Sequence, residues 1–93
     1  MKSHLTDDFL DCFAKLPERI KRLARENYKL WSENPYHPSL SFKRVGKKYP
    51  AYSVRIGIGW RALGFKDEDT DEDTIVWFWI GSHPEYDRII KKL

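Results

Sequence analysis

The segment Thr74-Ile75-Val76-Trp77-Phe78-Trp79-Ile80 constrains the fold of this chain more than any other. It runs apolar without alternation, and Gly81 follows it directly. Such a run, rich in β-branched and aromatic residues, predicts a strand buried on both faces, at the centre of a sheet. The whole chain has 93 residues, which is enough for one hydrophobic core. We therefore expect a single domain over residues 1–93.

Alternating apolar residues predict further strands ahead of that run. Residues 40–45 and 52–56 alternate apolar with polar side chains, Gly57-Ile58-Gly59 punctuates the chain, and residues 60–65 make a third strand. A period of two is typical of strands with one face on the core. With the run at 74–80, these segments predict four strands in a mainly antiparallel, twisted sheet.

Helical periodicity predicts an αα-hairpin over residues 6–33. Thr6 can cap its first helix, because a threonine side chain accepts a hydrogen bond from the first turn. Pro17 fits the first turn of the second helix, and Pro35 ends it because proline cannot continue a helix. Pro84 opens a short C-terminal helix. In the first helix, residues at helical spacing are Leu5, Phe9, Phe13 and Leu16. In the second helix, the residues on one side are Ile20, Leu23, Ala24, Asn27, Tyr28 and Trp31. The fold class is therefore α+β, with the hairpin packed on the four-stranded sheet.

Charge is distributed unevenly along the chain. Six acidic residues lie in the stretch 67–73, which we expect to be a solvated hairpin loop. The rest of the chain holds 17 basic against 8 acidic residues, a net charge of +9. Such a body favours a polyanionic partner, either nucleic acid or an acidic protein. A solvated basic surface without a partner explains the charge equally well.

Several classes of protein are excluded by simpler features. No apolar run approaches the roughly 20 residues that span a bilayer, so no membrane is expected. The first eight residues lack the apolar segment of a signal peptide, and Cys12 has no disulfide partner, which together indicate a cytoplasmic protein. His4, His37 and His83 show no metal-ligand spacing with Cys12, and there is no glycine-rich phosphate motif. We expect neither metal nor cofactor.

The alternation in the sheet suggests where chemistry could occur. If Val54 and Ile56 face the helices, then Lys43, Arg55 and Arg61 project from the open face. Arginine offers a planar fork for phosphate and lysine a point charge. Each cation could instead pair with a local acid and serve solubility. For Arg55 and Arg61, which flank a Gly-Ile-Gly turn, both interpretations stay open.

His83 and Tyr86 follow the central strand at the edge of this open face. A histidine there can exchange protons near neutral pH, and a tyrosine can stack on a base or donate its phenol proton. The structural alternatives are that His83 caps the last helix and that Tyr86 packs in the core.

In two segments, residues 52–65 and 75–89, the sequence resembles the RelE/ParE superfamily of bacterial type II toxin–antitoxin systems. The first segment matches an arginine-bearing strand, a tight turn and an arginine in the third strand. The second matches a last strand that runs into a turn with His83 and an aromatic residue. Pro17 and the Asn34-Pro35 pair match the hairpin and its exit, so the resemblance covers nearly the whole chain.

What the resemblance implies is a metal-independent, ribosome-dependent endoribonuclease that cuts messenger RNA and blocks translation. Arg61, Arg55, His83 and Tyr86 fall where members of the family place their catalytic residues. Lys43 matches the basic residues of the first strand, and the neighbouring candidates for RNA and phosphate binding are Arg44, Lys47 and Lys48. The implied partners are the ribosome with its messenger RNA and a cognate acidic antitoxin protein.

The sequence also departs from the family pattern. It lacks the dense lysine pair that some nucleases carry before the second strand, and it does not end in an aromatic residue or a histidine. The ParE branch keeps the fold without nuclease residues and inhibits DNA gyrase, which is the alternative function. The sequence indicates neither codon preference nor oligomeric state.

Overall fold

A computed structural model describes residues 1–67, 69 and 73–93 of the chain. Its elements give an α+β fold with an N-terminal helical hairpin, a twisted sheet and a C-terminal helix, which confirms the predicted class. The described strands are β1 (Lys2–Leu5), β2 (Lys43–Arg44), β3 (Ala51–Ile56), β4 (Trp60–Asp67) and β5 (Thr74–Ser82). The described helices are α1 (Asp7–Ala14), α2 (Glu18–Glu33) and α3 (His83–Ile90), with a 3-10 turn at Pro38–Leu40.

The described sheet has five strands in the order β1-β5-β4-β3-β2, so the prediction of four strands is wrong by one. The additional strand, β1, pairs parallel with β5, and the other pairs are antiparallel. Its sequence Lys-Ser-His-Leu has no apolar alternation, because it lies at an edge where three of its four residues stay exposed. Pairing with β5 makes it a strand. The middle strand is therefore β4, and β5 is an interior strand because β1 covers its other edge.

Several predicted boundaries also differ. The strand expected over residues 40–45 is reduced to β2, because Leu40 belongs to the 3-10 turn and Ser41 has a left-handed φ of 46°. β5 continues past Gly81, which pairs with Arg61 of β4. Pro17 is the extended N-cap of α2 rather than a residue of its first turn, with ψ of 147°. Residues 68 and 70–72 of the acidic stretch, expected as a solvated loop, lie outside the described residues.

The core lies between the hairpin and one face of the sheet, and Trp31 of α2 is at its middle. Its indole, 1% exposed, meets Trp77 of β5 edge to face at 5.3 Å between ring centroids. Phe42 meets the same indole in a similar geometry at 5.7 Å. Thr6 caps α1 as predicted, since its Oγ1 accepts from the backbone N–H of Phe9 at 3.1 Å. The hairpin therefore covers one face of the sheet and leaves the other to α3.

None of the described helices has the length and apolar character needed to cross a membrane.

Candidate functional site

Strand register places the predicted cations on the sheet face away from the hairpin. Arg55 of β3 is paired with Arg61 of β4, and Lys43 of β2 is paired with Ser53. Directly paired residues share a face, as do residues two apart in one strand. Lys43, Ser53, Arg55 and Arg61 are therefore on one side. Val54, which is buried with the hairpin, is on the other.

These side chains surround a pocket of about 120 Å³. Every residue in its wall carries a polar or charged group, and the wall combines β2, β3 and β4 with the start of α3. Five of the eight residues predicted for the site, namely Lys43, Arg55, Arg61, His83 and Tyr86, are in it together with Ser41 and Ser53. The pocket thus joins cations to groups that can transfer protons.

Arg61 is held by the turn between β3 and β4. Its Nη1 donates to the backbone carbonyls of Trp60 at 2.7 Å, Ile58 at 3.2 Å and Gly57 at 3.4 Å. Gly57 has a φ of 61°, and a Cβ there would lie 2.9 Å from Leu23 Cδ2, so the turn favours glycine on both grounds. All three acceptors contact the same nitrogen, Nη1. These contacts hold the guanidinium group against the turn.

The electrostatics of Arg61 show how cationic the pocket is. Burial lowers the pKa of Arg61 from its ordinary value, and the neighbouring Arg55 guanidinium lowers it further, while Tyr86 and Asp87 raise it. Arginine nevertheless stays charged at neutral pH. Two guanidinium groups of like sign at close range make the pocket favourable for an anion that can neutralise both.

His83 is the first residue of α3, and the sequence alternative that it caps this helix is wrong. The N-cap is Ser82, whose Oγ donates to Glu85 at 2.9 Å. The backbone N–H of His83 donates to the carbonyl of Gly59 at 2.8 Å, which ties the start of α3 to the turn that holds Arg61. Its Nδ1 lies 3.1 Å from Asp87 Oδ2, one helical turn on.

Tyr86 combines the two roles that the sequence left open. It is only 6% exposed and its phenol donates to Ser53 Oγ at 3.1 Å, so it packs α3 against the sheet. It also lines the pocket, with its ring 5.7 Å from that of His83. Tyr86 therefore forms the floor of the pocket and holds the helix turn that carries His83 against the sheet.

The other three predicted phosphate ligands lie outside this pocket. Arg44 is paired with Tyr52. Because it is adjacent to Lys43 in β2, its side chain points to the opposite face of the sheet, towards the hairpin. Its Nε donates to Gly46 O at 3.2 Å. Lys47 and Lys48 lie in the β2–β3 connection, where their backbone N–H groups donate to Leu93 O at 3.1 Å and 2.9 Å.

Sequence reasoning missed Ser41, Ser53 and Asp87 as neighbours of this site. Ser53 could have been found, since it lies two residues before Arg55 in the same strand and therefore faces the same side. The position of Ser41 depends instead on the left-handed backbone before β2. Within the described part of the chain, no cluster of three histidine, cysteine or carboxylate side chains could hold a metal ion.

A second, larger cavity of about 220 Å³ lies between the hairpin and the sheet. Its wall is mainly apolar, and it includes the exposed faces of Leu5, Leu10 and Tyr28. Its titratable side chains among the described residues are Arg25 and Tyr28, and its wall has no histidine or carboxylate for acid–base chemistry near neutral pH, so the polar pocket is the candidate site.

Comparisons with known proteins bear on the family and the fold of this chain. A family model for the ParE-like toxin domain matches residues 18–88. No curated protein sequence matches the chain. Among solved structures, the RelBE2 toxin–antitoxin complex of Mycobacterium tuberculosis has a TM-score of 0.65 at 22% identity, over 88% of this chain and 96% of that one. The RelB–RelE complex of Methanococcus jannaschii has a TM-score of 0.67 at 15% identity, over 90% and 95%.

The isolated RelE toxin of E. coli has a TM-score of 0.61 at 13% identity, over 99% of this chain and 98% of that one. At these identities the structures establish a shared fold. The match to the family model covers most of the chain, including both strands that carry the arginines and most of α3.

Proposed function

This chain belongs to the ParE-like toxin domain family of the RelE/ParE superfamily, and from that premise we propose that it is a metal-independent endoribonuclease that cuts messenger RNA on the ribosome. The observation that carries the proposal is the convergence of Arg55, Arg61 and His83 on one polar pocket. A toxin that acts only by binding does not require a titratable group beside two guanidinium groups.

The pocket supplies the groups that RNA cleavage needs. In this reaction the ribose 2′-oxygen attacks the adjacent phosphorus, and a phosphorane with extra negative charge develops. Arg55 and Arg61 would neutralise that charge. Such donors stabilise the transition state most when they are already held in position before the reaction. His83 would transfer the proton, and Lys43 at the rim would bind a flanking phosphate. Tyr86 would orient the substrate from the pocket floor.

Inhibition of DNA gyrase is the alternative, and the ParE-like character of the matching family model is the observation that favours it. This function needs a binding surface but no proton transfer. It predicts that substitutions of His83 leave the protein toxic.

The partner that we propose is a cognate acidic antitoxin. Two of the three solved structures named above are complexes with RelB-type proteins. In this chain the apolar cavity between hairpin and sheet and the +9 body outside the acidic stretch would suit a segment with apolar and acidic side chains. We further propose that both proteins act in the cytoplasm.

Labelling of growing cells separates the two functions. After induction of the protein, we expect incorporation of labelled methionine to stop within minutes while thymidine incorporation continues, because messenger RNA is the target. The His83→Ala variant should leave both rates unchanged, and Arg19→Gln, on the exposed face of α2, should act like the wild type. Early arrest of thymidine incorporation, together with inhibition of supercoiling by purified gyrase, would instead establish the alternative.

A further inference from the structure

The carboxylate of Asp87 has a specific geometric relation to the candidate catalytic histidine. The two residues are one turn apart on α3, and Oδ2 lies 3.1 Å from Nδ1. The side chain of Asp87 is 53% exposed and that of His83 is 41% exposed, so both reach solvent, and His83 also lines the pocket. Asp87 is also close enough to Arg61 to raise the pKa of that guanidinium.

Stability of the fold gives little reason for this pair. Exposed ion pairs at i,i+4 on a helix contribute little to stability, because solvent screens the two charges. His83 is already fixed through its backbone bond to Gly59, and Tyr86 anchors the same helix turn to Ser53. The contact between Asp87 and His83 instead acts on the imidazole ring, whose Nδ1 it holds beside a carboxylate oxygen.

The chemistry of the two groups determines where the proton lies. In a neutral imidazole one nitrogen is a donor and the other an acceptor, and an ionised carboxylate can only accept. Nδ1 of His83 must therefore carry the proton that it shares with Asp87, which leaves Nε2 as the acceptor.

We propose that Asp87 is a positioning residue that holds His83 in the Nδ1–H tautomer, so that Nε2 serves as general base. The catalytic part of this inference depends on the proposed ribonuclease function. Nε2 takes the 2′-hydroxyl proton as the 2′-oxygen bonds to phosphorus. The bond from phosphorus to the 5′-oxygen then breaks, and that oxygen leaves with the electron pair and takes a proton from water. The products are a 2′,3′-cyclic phosphate and a 5′-hydroxyl.

The tautomer can be measured without any assay of function. Long-range nitrogen–proton NMR correlations of the full chain, in alkaline buffer, should show His83 protonated at Nδ1. In Asp87→Asn the amide can donate to Nδ1, so we expect the Nε2–H tautomer. Glu85→Gln removes the same charge from the same helix without contacting the ring, and it should match the wild type. A wild-type spectrum with the proton on Nε2 would overturn the inference.

Single-turnover cleavage on ribosomes tests the consequence for catalysis. General acid–base catalysis contributes about 10²–10⁴-fold, and we expect Asp87→Asn to lose about 10- to 100-fold in rate with unchanged half-saturation. The double variant His83→Ala/Asp87→Asn should be no slower than His83→Ala alone, because the two residues act as a unit. Glu85→Gln should keep the wild-type rate, and thermal unfolding of all variants should be nearly unchanged.

Two outcomes contradict the catalytic part, and they differ from each other. If Asp87→Asn cleaves at the wild-type rate while His83→Ala does not, His83 is needed but Asp87 does not position it. If His83→Ala cleaves normally, the proposed base is wrong and the role of Asp87 falls with it, whichever tautomer is observed.

Discussion

Replacement of Arg61 by glutamine is expected to abolish toxicity and to lower the rate of messenger RNA cleavage by about 10²–10³-fold, the usual cost of removing one fixed donor from a developing oxyanion. The reason is the position of the guanidinium. It is partly buried, it is tied to three turn carbonyls through Nη1, and it shares the pocket with Arg55. A glutamine offers neither the charge nor the fork.

The Arg61→Lys variant refines this prediction. Lysine keeps the charge but loses the planar donor set, so we expect an intermediate rate. Arg19→Gln, on the solvent face of α2, removes the same charge far from the pocket and should cleave normally. Circular dichroism of each variant controls for damage to the turn. Wild-type toxicity of a folded Arg61→Gln protein would contradict the account of the site.

Replacement of Trp31 by alanine is expected to lower the free energy of unfolding by about 3–5 kcal/mol, the usual cost of truncating a buried tryptophan. The indole is 1% exposed and joins α2 to β5 and Phe42 through two edge-to-face contacts. Its Nε1–H has no acceptor among the described residues, so the loss comes from packing rather than from a hydrogen bond. Since domains are stable by only about 5–15 kcal/mol, the variant should lose a large fraction of the stability of the fold.

Urea unfolding followed by circular dichroism measures this change. Ile58→Ala is the matched control, because Ile58 is apolar yet 93% exposed at the tip of the β3–β4 turn. Its effect should stay within about 0.5 kcal/mol. A loss below about 1 kcal/mol for Trp31→Ala would contradict the hairpin packing described above.

The parts of the fold that carry a strong period could be predicted from the sequence. The run at 74–80 predicted the buried strand β5, and the alternation around Val54 correctly put Arg55 and Lys43 on the face away from the hairpin. β1 could not be predicted, because its four residues have no period and form a strand only by pairing with the edge of β5.

The site residues whose side chains follow the alternation of a strand could be predicted from the sequence. Residues whose position depends on an irregular backbone, such as Ser41, could not. Arg44 was grouped with Lys43 on charge, yet adjacent strand residues face opposite sides, so only one of them reaches the pocket. The contact between Asp87 and His83 connects exposed residues on a helix, where a spacing of four is common and carries no signal by itself. Only the structure singles out this pair, because Nδ1 of His83 lies 3.1 Å from Oδ2 of Asp87 and His83 lines the polar pocket.

Cleavage of a defined messenger RNA by the purified protein on programmed ribosomes, in buffer with excess EDTA, tests the central claim most directly, provided that the ribosomes are cross-linked beforehand so that they remain intact. The account predicts cuts that end in a 2′,3′-cyclic phosphate and a 5′-hydroxyl, absent with His83→Ala and with Arg61→Gln. An uncut message with the wild-type protein, or cuts that end in a 5′-phosphate, would contradict it.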